Sequence, residues 1–285
     1  MTLFRRGMHF GSYGVADDGR RLFDRVGVAV EAAEAAGFDA LSVPDHLLQN
    51  DVGGTGPESP MFEAYTLLGA LAVRTASARL LALVSPVTLR NPAILAKSVT
   101  ALDVLSAGRA ILGIGAGWDA AEHEAYGVRF PPAGERLDRL DEALTLCRAL
   151  FQEQRASFAG VHYTVHEAWN TPKPLRGRIP ILVGGGGERR TLELVARHAD
   201  ACNVFGDAAT VRHKFDVLDR HCHTVGRDPA AISRTAFVVP TDDLTDLRTQ
   251  LAALVEVGVE GAVVMGTFDV VRIEALGRVL VEMFP

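Results

Sequence analysis

Segments that read as strand and segments that read as helix alternate along this chain almost from end to end. Strand-like runs lie at Gly7–Phe10, Phe38–Val43, Leu80–Ser85, Arg109–Gly113, Ile179–Val183, Ala201–Phe205, Ser233–Val239 and Gly261–Met265. Helix-like segments at Arg20–Ala36, Met61–Thr75, Asn91–Leu105, Glu135–Phe151, Arg189–His198, Val211–Val225 and Leu244–Val257, with a last one after Met265, fill the intervals. In the fourth of these Leu137, Leu140, Leu144, Cys147 and Phe151 fall three and four apart, the spacing of one buried helix face. Strict alternation demands parallel strands joined by crossover helices. Eight such units in 285 residues predict an α/β fold of the (β/α)8 TIM-barrel type, one domain over residues 1–285. No G-x-G-x-x-G follows the first strand, which weighs against an open dinucleotide-binding sheet. Only a small strand excursion at Ser157–Val165 interrupts the pattern.

Composition narrows the partners. An apolar content of 48% supplies a large core, and a net charge of −6 argues against nucleic acid or an anionic membrane. The three cysteines, Cys147, Cys202 and Cys222, read as free thiols of a reducing compartment. The opening MTLFRRGMHF has no apolar signal-peptide core, and no apolar run approaches the roughly 18 residues of a membrane span. A cytoplasmic protein acting on a small molecule is expected.

In a barrel the carboxyl ends of the strands share one mouth, so chemistry is sought there. The stretch Leu80–Trp118 holds two wholly apolar strands that stop at small or polar residues, which marks it as a site. Gly184-Gly185-Gly186-Gly187 stands between a buried strand and a helix, where bare backbone and free N–H groups suit a phosphate. Gly115-Ala116-Gly117 offers a second close approach. Asp45-His46 is the acid–imidazole pair at a strand end, suited to proton transfer near neutral pH. His9 lies at the end of the first strand, beside Phe10. These few ligands do not make a hydrolytic metal site, and none is expected. His221-Cys222-His223, late in a helix, reads as solvated surface. Ser59-Pro60 reads as the N-cap and first residue of the second helix. Phe10, Trp118, Phe205 and Met265 suggest an apolar pocket or barrel core.

The runs AEAAGFDALSVPDHL, ALAVRTASARLLALVSPVTLRNPAILAKSVTALDVLSAGRAILGIGAGW, EAYGVRFPPAGERLDRLDEAL and ILVGGGGERRTLELVARHADACNV closely resemble the luciferase-like monooxygenase family, and within it the branch that uses the deazaflavin coenzyme F420. The resemblance covers nearly the whole chain. It implies a (β/α)8 barrel with the cofactor ring in the mouth. It assigns Asp45 to the ring or ribityl chain and His46 to a proton near the reacting carbon. A non-prolyl cis peptide at Ala82-Leu83 would back the ring, and Ser85 would touch its edge or tail. Gly115, Ala116 and Gly117 would lie along the ribityl phosphate, with Gly184, Gly185, Gly186 and Gly187 around the phosphate itself. Glu63 matches a family position at a helix start, where a role on the helix dipole is as available as a functional one. Trp118 stands where sugar-phosphate dehydrogenases of this branch carry a glutamate, so a phosphorylated sugar is not expected. Trp118 becomes an apolar wall of the substrate pocket, together with His9.

Three activities are compatible with these residues. The first is hydride transfer between F420 and a small organic substrate, the second an FMNH2-dependent monooxygenase using flavin mononucleotide (FMN), the third a cofactor-binding barrel without turnover. By analogy with the family, a homodimer is expected.

Overall fold

A computed structural model describes residues 2–13, 19–49 and 56–285. The parts of the loops after the first and second strands at 14–18 and 50–55, the latter including glycines of the second, lie outside the described residues. The strands are β1 (Arg6–His9), β2 (Ala40–Val43), β3 (Arg79–Ala82), β4 (Ser85–Pro86), β5 (Leu112–Gly115), β6 (Ala156–Ala159), β7 (Thr164–Ala168), β8 (Ile181–Gly184), β9 (Ala201–Phe205), β10 (Ser233–Val238) and β11 (Gly261–Met265). The helices are α1 (Gly19–Ala35), α2 (Ala64–Ala72), α3 (Pro92–Leu105), α4 (Ala120–Ala125), α5 (Ala133–Gln152), α6 (Thr191–His198), α7 (Ala208–Val225), α8 (Leu244–Glu256) and α9 (Val270–Met283).

Nine of the strands form one parallel sheet in the order β3-β2-β1-β11-β10-β9-β8-β5-β4. Its two ends belong to one interrupted stave. β3 pairs with β2, whereas β4 pairs with β5. A parallel bridge between Leu80 and Ala110 joins the edges, with Leu80 N–H on Arg109 O at 3.1 Å and Ile111 N–H on Leu80 O at 3.0 Å. The alternation therefore closes into the expected (β/α)8 barrel, and the antiparallel β6–β7 hairpin is the small excursion.

Two apolar layers hold it. Phe4, Ala40, Leu81, Ile111, Leu182, Ala201 and Val263 fill the barrel interior, and a larger set packs the outer strand faces against the helices. Each fully buried Leu or Ile contributes roughly 1.5–3 kcal/mol of burial. Leu83 and Val84 sit on the interior plug and face the open mouth. The space above the plug is what remains for a ligand.

Several boundaries move for identifiable reasons. The strand expected at Arg109–Gly113 runs at Leu112–Gly115. Arg109 instead turns its guanidinium onto the carbonyls of Ala72, Thr75, Ala78 and Ser106, tying the ends of α2 and α3 together. The second helix starts not at Ser59-Pro60 but after Glu63, whose carboxylate accepts from the Tyr65 and Thr66 N–H groups. α3 begins as its sequence reads, with Asn91 accepting from Ala93 N–H and Pro92 in the first turn. Cys222 is buried against the core rather than solvated, while His223 beside it is exposed. All three cysteines are free and buried. Among the described residues no helix is long and apolar enough to cross a membrane.

Candidate active site

Two chambers open side by side at the carboxyl ends of the strands. The larger, about 310 Å³, is lined by Gly115–Gly117, Gly184–Gly187, Val84, Thr191 and Asn203 among others. The smaller, about 170 Å³, is lined by His9, Gln49, Met61, Phe237 and Met265 among others. His46, Leu83, Trp118 and Phe205 line both, so they form the junction between the two.

Two glycine runs give the larger chamber part of its wall as bare backbone. Val84 enters it between two strand ends, and a Cβ on Gly115 or Gly184 would come within 2.8 Å of a Val84 methyl. Glycine is required at both positions for that close approach. The N-terminus of α6 abuts the glycine run: Arg190, its N-cap, makes no side-chain capping bond, and Leu192 N–H donates to Gly187 O at 3.0 Å. A glycine-lined slot ending at a helix N-terminus, with the titratable groups His46, Asp119, Glu122 and His123 also on its wall, fits a flat ring carrying a phosphate. Both the deazaflavin and FMN have that form.

His46 stands at the junction. Its Nδ1 lies 3.2 Å and 3.3 Å from the two carboxylate oxygens of Glu122, and its ring meets Trp118 edge-on with centroids 5.5 Å apart. Glu122 is buried, and its Oε1 also accepts from the Leu47 and Leu48 N–H groups. Burial works against a charged His46, but the Glu122 hydrogen bond and the charges of Glu122, Asp119 and Asp45 outweigh it, and its pKa is raised. Burial likewise opposes a charged Glu122, and the His46 and backbone hydrogen bonds overcome it, so its pKa is lowered. The pair therefore favours the protonated imidazole beside the ionised carboxylate.

The other assigned residues divide. His46, Leu83, Gly115, Ala116, Gly117, Gly184, Gly185, Gly186, Gly187 and Trp118 line the larger chamber, and His9 lines the smaller. Asp45, Ala82 and Ser85 line neither. The Asp45 carboxylate is buried in a two-pronged pair with Arg90, at 2.8 Å and 2.7 Å, and Arg90 also pairs with Glu63. Ser85 Oγ meets Tyr65 Oη at 2.9 Å. The cis peptide needs correction: it is Leu83–Val84, not Ala82-Leu83. Ala82 is still paired with Val43 in the β2–β3 ladder, and Leu83 N–H donates to Val43 O at 2.9 Å. The ladder thus runs one peptide further than expected before the stave breaks. Of the aromatic and sulfur residues, Trp118, Phe205 and Met265 face the chambers, while Phe10 is core. No cluster of metal-ligating side chains occurs among the described residues.

The family model described as luciferase-like monooxygenase matches residues 2–274. The chain belongs to this family. Its architecture agrees with solved members of the fold: a coenzyme F420-dependent tetrahydromethanopterin reductase from Methanopyrus kandleri (TM-score 0.80, 17% identity, 99% of both chains) and the long-chain alkane monooxygenase LadA (TM-score 0.81, 16% identity, 99% of this chain and 92% of that one). In sequence it is 38% identical over 157 residues to an F420-dependent glucose-6-phosphate dehydrogenase of Kineococcus radiotolerans, covering 54% of this chain and 44% of that protein. The chain spans less than two-thirds of the length of the curated relatives it matches first.

Glu122, in the first turn of α4, is a site residue to which the sequence assigns no role. Its signal was present but pointed elsewhere. Asp119-x-x-Glu122 has the form of a capping box, and Asp119 does accept from Glu122 N–H at 3.1 Å. The Glu122 carboxylate, however, turns away from the cap toward His46. Only the approach of α4 to the β2 end reveals that.

Proposed function

We propose that this luciferase-like protein is an oxidoreductase that moves a hydride between the deazaflavin F420 and a small organic substrate. The observation that carries the reading is the His46–Glu122 pair, with His46 at the junction of a glycine-lined chamber and a smaller, mostly apolar one. Gly115–Gly117 and Gly184–Gly187 would hold the cofactor, and the smaller chamber would hold the substrate. When bound, the deazaflavin supplies two-electron hydride chemistry. The chain itself orients and protects. Trp118 and Phe205 would cover a bound ring at the junction, and Glu122 fixes the His46 ring through Nδ1, which leaves Nε2 for the reacting centre. His46 then gives or takes the proton that accompanies hydride transfer. The name of the Kineococcus relative supports F420 over FMN.

Direct titration of the full chain with F420 and with FMN tests this. Tighter binding of F420 is expected. Equal or tighter binding of FMN would move the assignment to a flavin monooxygenase.

A further inference from the structure

The fold explains three glycines of the Gly184–Gly187 run and leaves the fourth unexplained. A Cβ on Gly184 would press on Val84, Gly185 has a φ of 114°, and a Cβ on Gly187 would lie 2.7 Å from Thr191 Oγ1. Gly186 has neither constraint. Its φ lies outside the left-handed region, and a Cβ there would meet the stem of Lys214 at an ordinary contact distance, 3.5 Å from Cε and 3.6 Å from Cδ. Bare backbone at Gly186 thus keeps a gap between the run and Lys214.

Lys214, on α7, is half-buried, and its Nζ donates to Glu188 Oε1 at 2.6 Å. His213 Nε2 lies 3.2 Å from the same oxygen. The Lys214 and His213 hydrogen bonds lower the Glu188 pKa, so this carboxylate, next after the last glycine, is charged at neutral pH. The slot is poor in positive charge elsewhere. Among the described residues on its wall are Asp119 and Glu122 but no lysine or arginine. Of the two arginines that follow the run, Arg189 is exposed and Arg190 pairs with Asp138. Lys214 is the cation whose stem lies on the run itself.

We infer that Lys214 is the counter-charge for a ligand's phosphate at Gly186, and that Glu188 competes with the phosphate for its ammonium. The inference rests on the reading that the larger chamber holds a phosphate-bearing ring. A lysine suits this part, because its three donors on a flexible stem can serve two anions at once. The charge of Glu188 then opposes the phosphate while its oxygen keeps the ammonium near.

Direct titration of the full chain uses two pairs of compounds. FMN and riboflavin differ only in the phosphate, and F420 is set against the deazaflavin riboside that lacks it. Lys214→Met should weaken FMN or F420, whichever binds, about fivefold and leave the phosphate-free partner unchanged, and Lys214→Arg should recover most of the loss. Glu188→Gln, whose amide oxygen still accepts from Lys214, should tighten the same compound about twofold. Gly186→Ala, which the fold accommodates, should weaken it. A pair that serves only the structure would make the Lys214 and Glu188 variants act in the same direction or not at all, and either result overturns the inference. So does an equal loss for the phosphate-free partner, or unchanged affinity in Gly186→Ala. FMN bound as tightly as F420 but weakened by Lys214→Met keeps the inference and removes the deazaflavin reading. F420 bound more tightly than FMN but indifferent to Lys214 does the reverse. No binding of any of the four compounds overturns both.

Discussion

His9 and His46 line the same small chamber from neighbouring staves, yet their surroundings give them opposite chemistry. Both are taken out of water, which disfavours the charged ring in each. His46 has a buried carboxylate against Nδ1, and the attraction overcomes the burial. His9 has only a hydroxyl there, and burial wins. The surroundings thus favour the charged ring at His46 and the neutral ring at His9. What separates them is the group behind the ring, which lies on another element in each case: Glu122 on α4 for His46, Ser42 on β2 for His9.

The comparison breaks most severely if the proton-holding ring is removed. His46→Ala should lower kcat by about a hundred- to ten-thousandfold with a confirmed substrate, the usual range for losing a general acid or base. Affinity for the cofactor should change far less. Unchanged turnover would remove His46 from the mechanism. A milder change should convert His46 toward the His9 condition. In Glu122→Gln the retained oxygen can still accept from Leu47 and Leu48, so the loop has what it needs to stay in place. The new amide faces Nδ1 with a donor, which opposes protonation. The His46 pKa should fall, the arm of the pH–rate profile that reports it should move to lower pH, and turnover at neutral pH should drop about ten- to a hundredfold. NMR titration of His46 reads the shift directly, and an unmoved pKa would show that Glu122 is only a structural anchor.

Much of this was legible in the sequence because it depends on local pattern. The alternation of apolar strands and amphipathic helices is a local property, and it led to the closed barrel. The glycine runs and His46 were legible for the same reason, as residue types at strand ends. What escaped depends on tertiary approach. Arg109 reads as a strand residue until α2 and α3 bring four carbonyls to its guanidinium. Asp45 is assigned to the cofactor by resemblance, and its pairing through both oxygens with Arg90 is not visible in local pattern. Glu122 shows no role until α4 brings its carboxylate to His46. The break in the third stave was found in the right turn but one peptide early, since the length of the β2–β3 ladder is set by Val43, about forty residues away in sequence.

The smallest expected effect sharpens the same contrast through stability. His9 has an ordinary pKa of 6.5 when unfolded and about 3 when folded. The unfolded chain therefore takes up a proton that the folded chain refuses, and His9 costs stability as pH falls below 6.5. His46 runs the other way. Its folded pKa is raised, so its contribution is complete below 6.5 and is lost as pH rises through the folded value. The lowered pKa of Glu122 gives stability present above about 4.5 and lost as pH falls through its folded value. Of these three groups, then, only His9 weakens the fold between pH 6.5 and 4.5. The slope for one proton is at most about 1.4 kcal/mol per pH unit. The stability difference between the unaltered chain and His9→Phe, from urea midpoints at pH 7 and pH 5.5, should therefore shift by about 1 kcal/mol in favour of the variant at the lower pH. A pH-independent difference would mean that the His9 ring is protonated in the folded chamber, and the opposition between the two histidines would be lost.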